Sequence, residues 1–395
     1  MGRLRVRLRL GLLTRFFWLT LSCFVAAVWN TSAQEALSVP HTDFRSRLQW
    51  TPEGSDSNLV FRAYGFARLD FQKRTLFNDG TADSSLTTWR SSRCGACVRQ
   101  VEIRDDWAVN GRVEYDFRGG SQAHPSPRLR HAYMEVENAD GWSLLGGQAY
   151  DAWYLRSPTL LTSIYPVNRR PQVRLSKVTD LSEKTRLTAR IAAVKNQSND
   201  IDDSHANSNG DAKRSLIQSA VMLSRPLLTD RPAHVALAGS YGRERNMFPD
   251  CPEEDGLYDT RFLIVYGALP LCSRLVASGS LYTGENMDTV FLGGAARGVN
   301  SSSGHSICGM GGWAQCAFYC SSEWRLNAGY SFLEMDKGDL SMNDRNLYEC
   351  YAVNTAYFIL PRVQVVFEGN LFREQRVADT SNEHVRLQCS IYYFF

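Results

Sequence analysis

Hydrophobic positions recur with a period of two through most of the chain. The last twelve residues, His384 to Phe395, are the clearest case. Val385, Leu387, Cys389, Ile391, Tyr393 and Phe395 are apolar, with Arg386, Gln388 and Ser390 between them. In a strand this alternation sends neighbouring side chains to opposite faces. One face is then apolar to the final residue and the other largely polar. The same pattern begins at Leu59. Leu59, Phe61, Ala63, Gly65, Ala67, Leu69 and Phe71 share one face, while Arg62, Tyr64, Arg68, Asp70 and Gln72 fall largely on the other. Carried along the chain, the test predicts strands near 59–72, 97–106, 109–118, 128–137, 142–149, 171–178, 185–194, 215–225, 233–243, 258–268, 273–283, 312–320, 324–332, 346–359, 362–373 and 384–395.

The gaps between these strands alternate in length. Short ones lie near 107–108, 138–141, 179–184, 226–232, 269–272, 321–323 and 360–361. Long ones lie near 73–96, 119–127, 150–170, 195–214, 244–257, 284–311, 333–345 and 374–383. A soluble sandwich has no reason to segregate loop length. An all-β transmembrane antiparallel barrel of about 16 strands does, with short periplasmic turns, long external loops and both termini on the periplasmic side. Only helices and closed barrels span a bilayer. Beyond residue 33 no segment is long and apolar enough for a spanning helix, so a membrane reading is a barrel reading, in a cell outer membrane.

Residues 1–33 read as a secretory signal peptide. Arg3, Arg5, Arg7, Arg9 and Arg15 form its basic start, Phe16 to Trp29 its apolar run, and Thr31-Ser32-Ala33 a small-residue cleavage site before Gln34. This changes the charge balance. The chain holds 44 basic and 41 acidic residues, five of the basic ones and none of the acidic ones in this segment. What remains is slightly acidic, which argues against a nucleic-acid partner. Residues 34–58 are polar, with Pro40, Pro52 and Gly54, and are expected to be a periplasmic lead-in without fixed structure; the barrel occupies 59–395.

Pro127-Arg-Leu-Arg-His-Ala-Tyr-Met-Glu-Val-Glu137, followed by Trp142-Ser-Leu-Leu-Gly-Gly-Gln148, resembles the DcaP-like trimeric outer-membrane porin family, also met as the planctomycete-type porin. Ala63-Tyr-Gly-Phe-Ala-Arg-Leu-Asp70, Val113-Glu-Tyr-Asp-Phe117, Ser280-Leu-Tyr-Thr-Gly-Glu-Asn286 and Gly311-Gly-Trp-Ala-Gln315 extend the resemblance. It implies sixteen strands, a homotrimer in outer-membrane lipid, and passive diffusion of small, often anionic solutes. In the outer-membrane barrel class the last strand is read by the assembly machinery, which assigns that signal to Tyr393 and Phe395. Two features depart from the family: residues 34–58 hold no apolar heptads for a coiled coil, and nine cysteines follow the signal segment.

If the apolar faces meet lipid, the polar positions line the pore: Arg62, Arg68, Asp70, Arg112, Glu114, Asp116, Arg118, Arg128 and Arg130. The cluster Arg112, Arg118, Arg128 and Arg130 reads equally well as an anion-attracting wall or as arginines neutralised by Glu114 and Asp116. Trimeric porins fold their third external loop inward, which makes 150–170 the expected constriction, carrying Asp151, Tyr154, Arg156, Arg169 and Arg170; Leu155, Leu160, Leu161 and Ile164 give it something to pack with.

Cys316 and Cys389 sit on apolar faces. Cys94-Gly-Ala-Cys97 reads as a local disulfide or redox pair without a redox fold around it, and Cys251 and Cys308 as a bridge between external loops. No ligand set has metal spacing, Asp200-Ile-Asp-Asp203 reads as a solvated loop, and no cofactor is expected. The alternatives from other classes are a barrel lipase or protease, for which His131, His234, His305 and His384 show no Ser–His–Asp spacing, and a non-conducting structural or adhesin barrel.

Overall fold

The computed structural model describes residues 49–50, 59–76, 84–100, 107–154, 160, 164–195, 215–245, 257–291, 298–300 and 304–395. Residues 1–33, expected as a signal peptide, together with Arg156, Cys251 and the loop around 200–211, lie outside the described residues.

Sixteen strands form one antiparallel barrel. They are β1 Leu59–Leu76, β2 Arg93–Gln100, β3 Trp107–Gly120, β4 Pro125–Asn138, β5 Trp142–Tyr150, β6 Arg169–Ser182, β7 Thr185–Lys195, β8 Ser215–Pro226, β9 Pro232–Arg245, β10 Leu257–Pro270, β11 Leu275–Glu285, β12 Cys308–Tyr319, β13 Trp324–Met335, β14 Arg345–Leu360, β15 Val363–Arg376 and β16 Ser381–Phe394. Each pairs with the next, and β16 returns to β1 from Phe66 opposite Phe394 to Leu76 opposite His384. Closure leaves no unpaired edge, which a membrane requires.

The faces divide as the alternation predicts. Phe61, Leu69, Phe71, Val173, Leu175, Ile191, Val221, Val235, Leu237, Leu263, Val265, Leu281, Val353, Phe367, Leu387 and Ile391 point outward and are exposed. Trp107, Trp142, Trp324, Tyr357 and Tyr393 are also exposed, all at the short-turn ends of their strands. That is the position of an interfacial aromatic girdle.

Several sequence-based boundaries move. The strand expected at 97–106 runs from Arg93 to Gln100, and Ser84–Thr88 continues the same edge above it against Asp70–Arg74. Trp89 to Ser92, which breaks the two apart, obscured the period. The gaps expected to be long at 119–127 and 374–383 are tight connections of four residues each, 121–124 and 377–380. The strands here continue above the apolar band with polar residues on both faces, so alternation ends before pairing does. Gly119 still pairs with Ser126, and Arg373 with Glu383.

The lead-in also departs from expectation. Gly65 and Phe395 exchange both backbone hydrogen bonds, at 3.2 and 3.1 Å. Below them β16 has run out while β1 continues. Gln49–Trp50 takes up that edge, opposite Arg62 and Phe61. A free strand edge with unmet backbone groups is thereby covered. The Phe395 ring lies over Gly65, where an added Cβ comes within 2.6 Å of its Cζ and 2.5 Å of the backbone O of Arg93 on β2. Gly65→Val should therefore displace the ring and loosen the closing seam by ~1 kcal/mol or more. The check is the temperature at which the folded band converts to the unfolded one on a gel; no lowering means that the ring is not fixed by this contact.

Candidate functional site

The barrel's interior is asymmetric. On the β8–β15 side apolar residues gather on part of the inner face: Ala220, Ala238, Phe262, Ile264, Tyr282, Leu333, Cys350, Ala352 and Phe372 form one buried cluster. In an open pore such a face is wet. Here two chain segments cover it. Residues 151–168, joining β5 to β6, send Trp153 and Ile164 into the cluster, Trp153 with its ring 5.1 Å from that of Phe262. Burying a side chain of that size is worth roughly 2–3 kcal/mol. Ala152 N donates to Gln218 Oε1 of β8 at 2.8 Å, and Ile164 N to Ser331 Oγ of β13 at 3.0 Å. The loop thus crosses the lumen from the β5–β6 wall to β13.

The second segment was read from sequence as an external loop over 284–311. Its described part turns inward instead. Met287, Val290 and Phe291 are fully buried in the same cluster, and Phe291 bridges to Val167 of the first loop. Asn286 starts the turn with φ of 55°, a conformation Asn tolerates better than most residues. The apolar run Val290-Phe291-Leu292 inside a polar stretch was the available signal.

Arg156 lies outside the described residues. Arg169 and Arg170, expected in the loop, are instead the first two residues of β6. Arg170 is fully buried. Its Nε and Nη2 donate to the two carboxylate oxygens of Asp151, each at 3.0 Å, and Gln218 Nε2 adds a third bond to that carboxylate at 3.0 Å. Arg170 is therefore a latch at the root of the loop and presents no free charge to the lumen. Tyr154 stacks on Tyr150, centroids 3.9 Å apart, and the Arg169 guanidinium lies over the Tyr150 ring.

The β1–β7 side is charged. Arg68, Asp70, Arg112, Glu114, Asp116, Arg128 and Arg130 project inward, and they do so as ion pairs. Arg68 meets Asp70 at 2.7 Å, Arg112 meets Glu114 at 2.6 Å, and Arg128 meets Asp116 at 2.7 Å. Arg130 holds Glu114 at 2.7 Å and Asp116 at 2.9 Å. Of the two readings left open by the sequence, neutralisation describes Arg112, Arg128 and Arg130. Arg118 differs: its Nη2 donates to Ser91 Oγ at 3.0 Å. Arg62 lies opposite Cys97, itself opposite Arg112.

Among the described residues, Arg93, Arg118, Arg169, Arg174 and Arg190 have no carboxylate within 4.0 Å. Arg93, Arg174 and Arg190 were not singled out from sequence. Arg174 and Arg190 sit on β6 and β7, in a field where Arg follows Arg at short spacing and pairing decides which stay charged. Arg174 Nη1 donates to Tyr150 O at 3.2 Å. His131, weighed from sequence only as a catalytic histidine, was not among the expected pore-lining residues. A bulge at Arg130 sets Glu114 opposite His131 and Tyr115 opposite Leu129, so both Arg130 and His131 are buried inward. Strict alternation assigns them to opposite faces.

A belt of amides crosses the inner face from β13 to β1. Asn327 donates to Asn354, Asn354 and Asn370 donate to Glu368 at 2.9 and 3.1 Å, and Gln388 donates to Asp70 at 3.0 Å. All are buried, and the bonds tie neighbouring strands to one another across the inner face.

Cys94 and Cys97 do not form a pair. They are three residues apart on β2, so Cys94 points outward opposite Tyr115 and Cys97 inward opposite Arg112. Cys316 and Cys389 point outward, opposite Ala277 and Phe367. Ser224 Oγ lies 2.7 Å from His234 Nδ1 on the inner face of β8 and β9. The described residues contain no group of three His, Cys, Asp or Glu arranged to hold a metal ion.

No protein-family model and no curated protein sequence matches the chain. Solved structures do. The outer-membrane channel DcaP of Acinetobacter baumannii is 17% identical, with a TM-score of 0.70 over 88% of this chain and 100% of that one. An anion-selective porin from Comamonas acidovorans is 10% identical, with a TM-score of 0.57 over 85% of this chain and 100% of its own. OmpF of Salmonella typhi, in complex with daunomycin, is 12% identical, with a TM-score of 0.55 over 88% of this chain and 100% of its own. At these identities the likeness is one of fold: the chain is a porin-like β-barrel.

Proposed function

We propose that the protein is an outer-membrane porin, exported by its signal peptide and passing small hydrophilic solutes by passive diffusion, with a preference for anions. The passage lies between the loop 151–168 and the β1–β7 wall, and the loop is its constriction. One observation carries this reading. Among the described residues, five inward or waist arginines, Arg93, Arg118, Arg169, Arg174 and Arg190, stand without a carboxylate at ion-pair distance, on the side of the lumen away from the main apolar cluster. Fixed charge in a low-dielectric cleft concentrates counter-ions.

Single-channel recording of the refolded protein tests it. The expected result is stepwise ion current with anions the more permeant species. Absence of current gives the lumen to a non-conducting structural barrel, and turnover of lipid or peptide gives it to an enzyme.

The protein is further expected to assemble as a homotrimer in outer-membrane lipid, with Tyr393 and Phe395 read by the barrel assembly machinery. Cross-linking in native membranes should yield three-subunit bands. Monomer alone, in membranes and in mild detergent, removes the trimer from the reading. Loss of Phe395 should lower outer-membrane insertion without lowering export across the inner membrane.

A further inference from the structure

A groove of about 730 Å³ crosses the outer face of the barrel over its closing seam. Two rows of cross-strand neighbours bound it. One runs from Leu326 on β13 through Phe367 to Phe71 on β1, the other from Val353 on β14 through Gly369 to Lys73 on β1. The cause is local. Gly369 has no side chain and Cys389 a short one, while Phe71, Phe367 and Leu387 around them stand 43%, 56% and 57% exposed. A Cβ added at Gly369 meets only Leu387 Cδ2, at 3.6 Å, so the space above it is open. Left unfilled, such an apolar lining forfeits its contacts on one side. The row from Leu326 to Phe71 crosses four strand spacings, about 19 Å. An acyl chain spans one leaflet, roughly 15 Å of hydrocarbon, and fits along it.

The groove also has a charged end. Lys73 is the one cation among its lining residues. Glu368, the one acid, is buried on the inner face, where the Asn354 and Asn370 amides hold it. Lys73 is exposed on the outer face and lies opposite Leu387. Its backbone is therefore four residues down the wall from Glu383, which pairs with Arg373 at 2.8 Å where the outer face turns polar. Four residues of strand are about 14 Å. An ammonium anchored so far into the apolar band is costly in hydrocarbon, and its long stem carries the charge up towards an anionic headgroup.

We propose that this groove is a binding site for one anionic lipid of the outer leaflet, with an acyl chain between the two rows and the phosphate on Lys73. The inference rests on the outer-membrane reading, which surrounds this wall with lipid. The apolar length of the groove selects a chain, and the single cation at its end selects a negative headgroup. A lipid held there covers β13 to β16 and β1 together, the sector in which the barrel closes on itself.

The test is retention of phosphatidylglycerol by the refolded barrel in mild detergent, read by native mass spectrometry. The native chain should keep one lipid per barrel. Lys73→Gln should lower that retention about fivefold, the effect of one lysine on an anionic lipid. Gly369→Leu fills the groove and should abolish retention while the folded band on the gel persists. Gly267→Leu is the control: on the outer face of β10 an added Cβ meets nothing nearer than 4.0 Å, and retention should not change. No retention by the native chain, or retention that survives both Lys73→Gln and Gly369→Leu, overturns the site. Cross-linking between two copies through Gly369→Cys in native membranes, beyond that of the native chain, also overturns it and gives the groove to a second copy. Failure of the outer-membrane reading shows separately, as absence of the chain from the outer-membrane fraction of cells while the refolded barrel still keeps its lipid.

Discussion

Arg170→Ala should widen the channel and make its current noisy. Arg170 and Asp151 are both fully buried and joined by two hydrogen bonds at 3.0 Å. Removing the guanidinium leaves a carboxylate with only Gln218 to meet it, in a place water does not reach. Breaking one side of such a pair costs roughly 3–5 kcal/mol. The barrel has a cheaper way out than unfolding. The backbone ladder between β5 and β6 includes position 170 through Ala149 and survives the change. The loop root can instead swing Asp151 into the lumen, pulling Trp153 off Phe262. The expected record is a higher mean conductance with frequent sub-states, from a protein that still shows a folded band on the gel. Replacing both residues by leucine removes the stranded charge and should restore a quiet, narrow channel, since buried pairs are often replaced by apolar residues without loss. A single mutant with native conductance and native noise sinks the latch.

The fold was legible because a barrel wall writes itself as a period of two, and β7 and β16 keep that period without interruption. It was less legible where two principles collide. At Arg130 and His131 a bulge adds one residue to β4, so its inward positions pass from even to odd numbers while opposed residues of β3 and β4 still share a face. Above the apolar band, at 373–376 and 381–384, polar residues occupy both faces and the period carries no information. The inward course of 286–291 was hidden for a different reason. Loop length says that a segment is long, while its direction depends on whether the wall below offers an apolar face, and that face is assembled from residues as far apart in sequence as Ala220, Phe262, Leu333 and Phe372. The candidate site suffered from the same limit. Sequence marks Arg112, Arg128 and Arg130 as polar positions of a two-residue period, but which arginine meets which carboxylate is a question of cross-strand register.

That distinction gives the second large effect, on selectivity. Removing one paired arginine is a poor test, because it uncovers its carboxylate and changes the field by a full charge. Removing a whole pair is a clean one. Asp116→Asn with Arg128→Gln deletes one charge of each sign, 2.7 Å apart. Arg174→Gln with Arg190→Gln deletes two positive charges that have no carboxylate within 4.0 Å among the described residues. A charge about 7 Å from a permeating ion is worth ~0.6 kcal/mol even in water, close to threefold in a permeability ratio before screening. The neutral pair deletion should leave the reversal potential in a dilute salt gradient nearly unchanged. Deleting Arg174 and Arg190 should lower the anion-to-cation ratio by at least about threefold, the effect of one such charge. Both differences should fade at roughly 1 M salt, where the screening length is about 3 Å. If the paired deletion alters selectivity as much as the unpaired one, ion pairing does not decide which arginines set the field. If neither does, permeating ions do not pass along the β1–β7 wall.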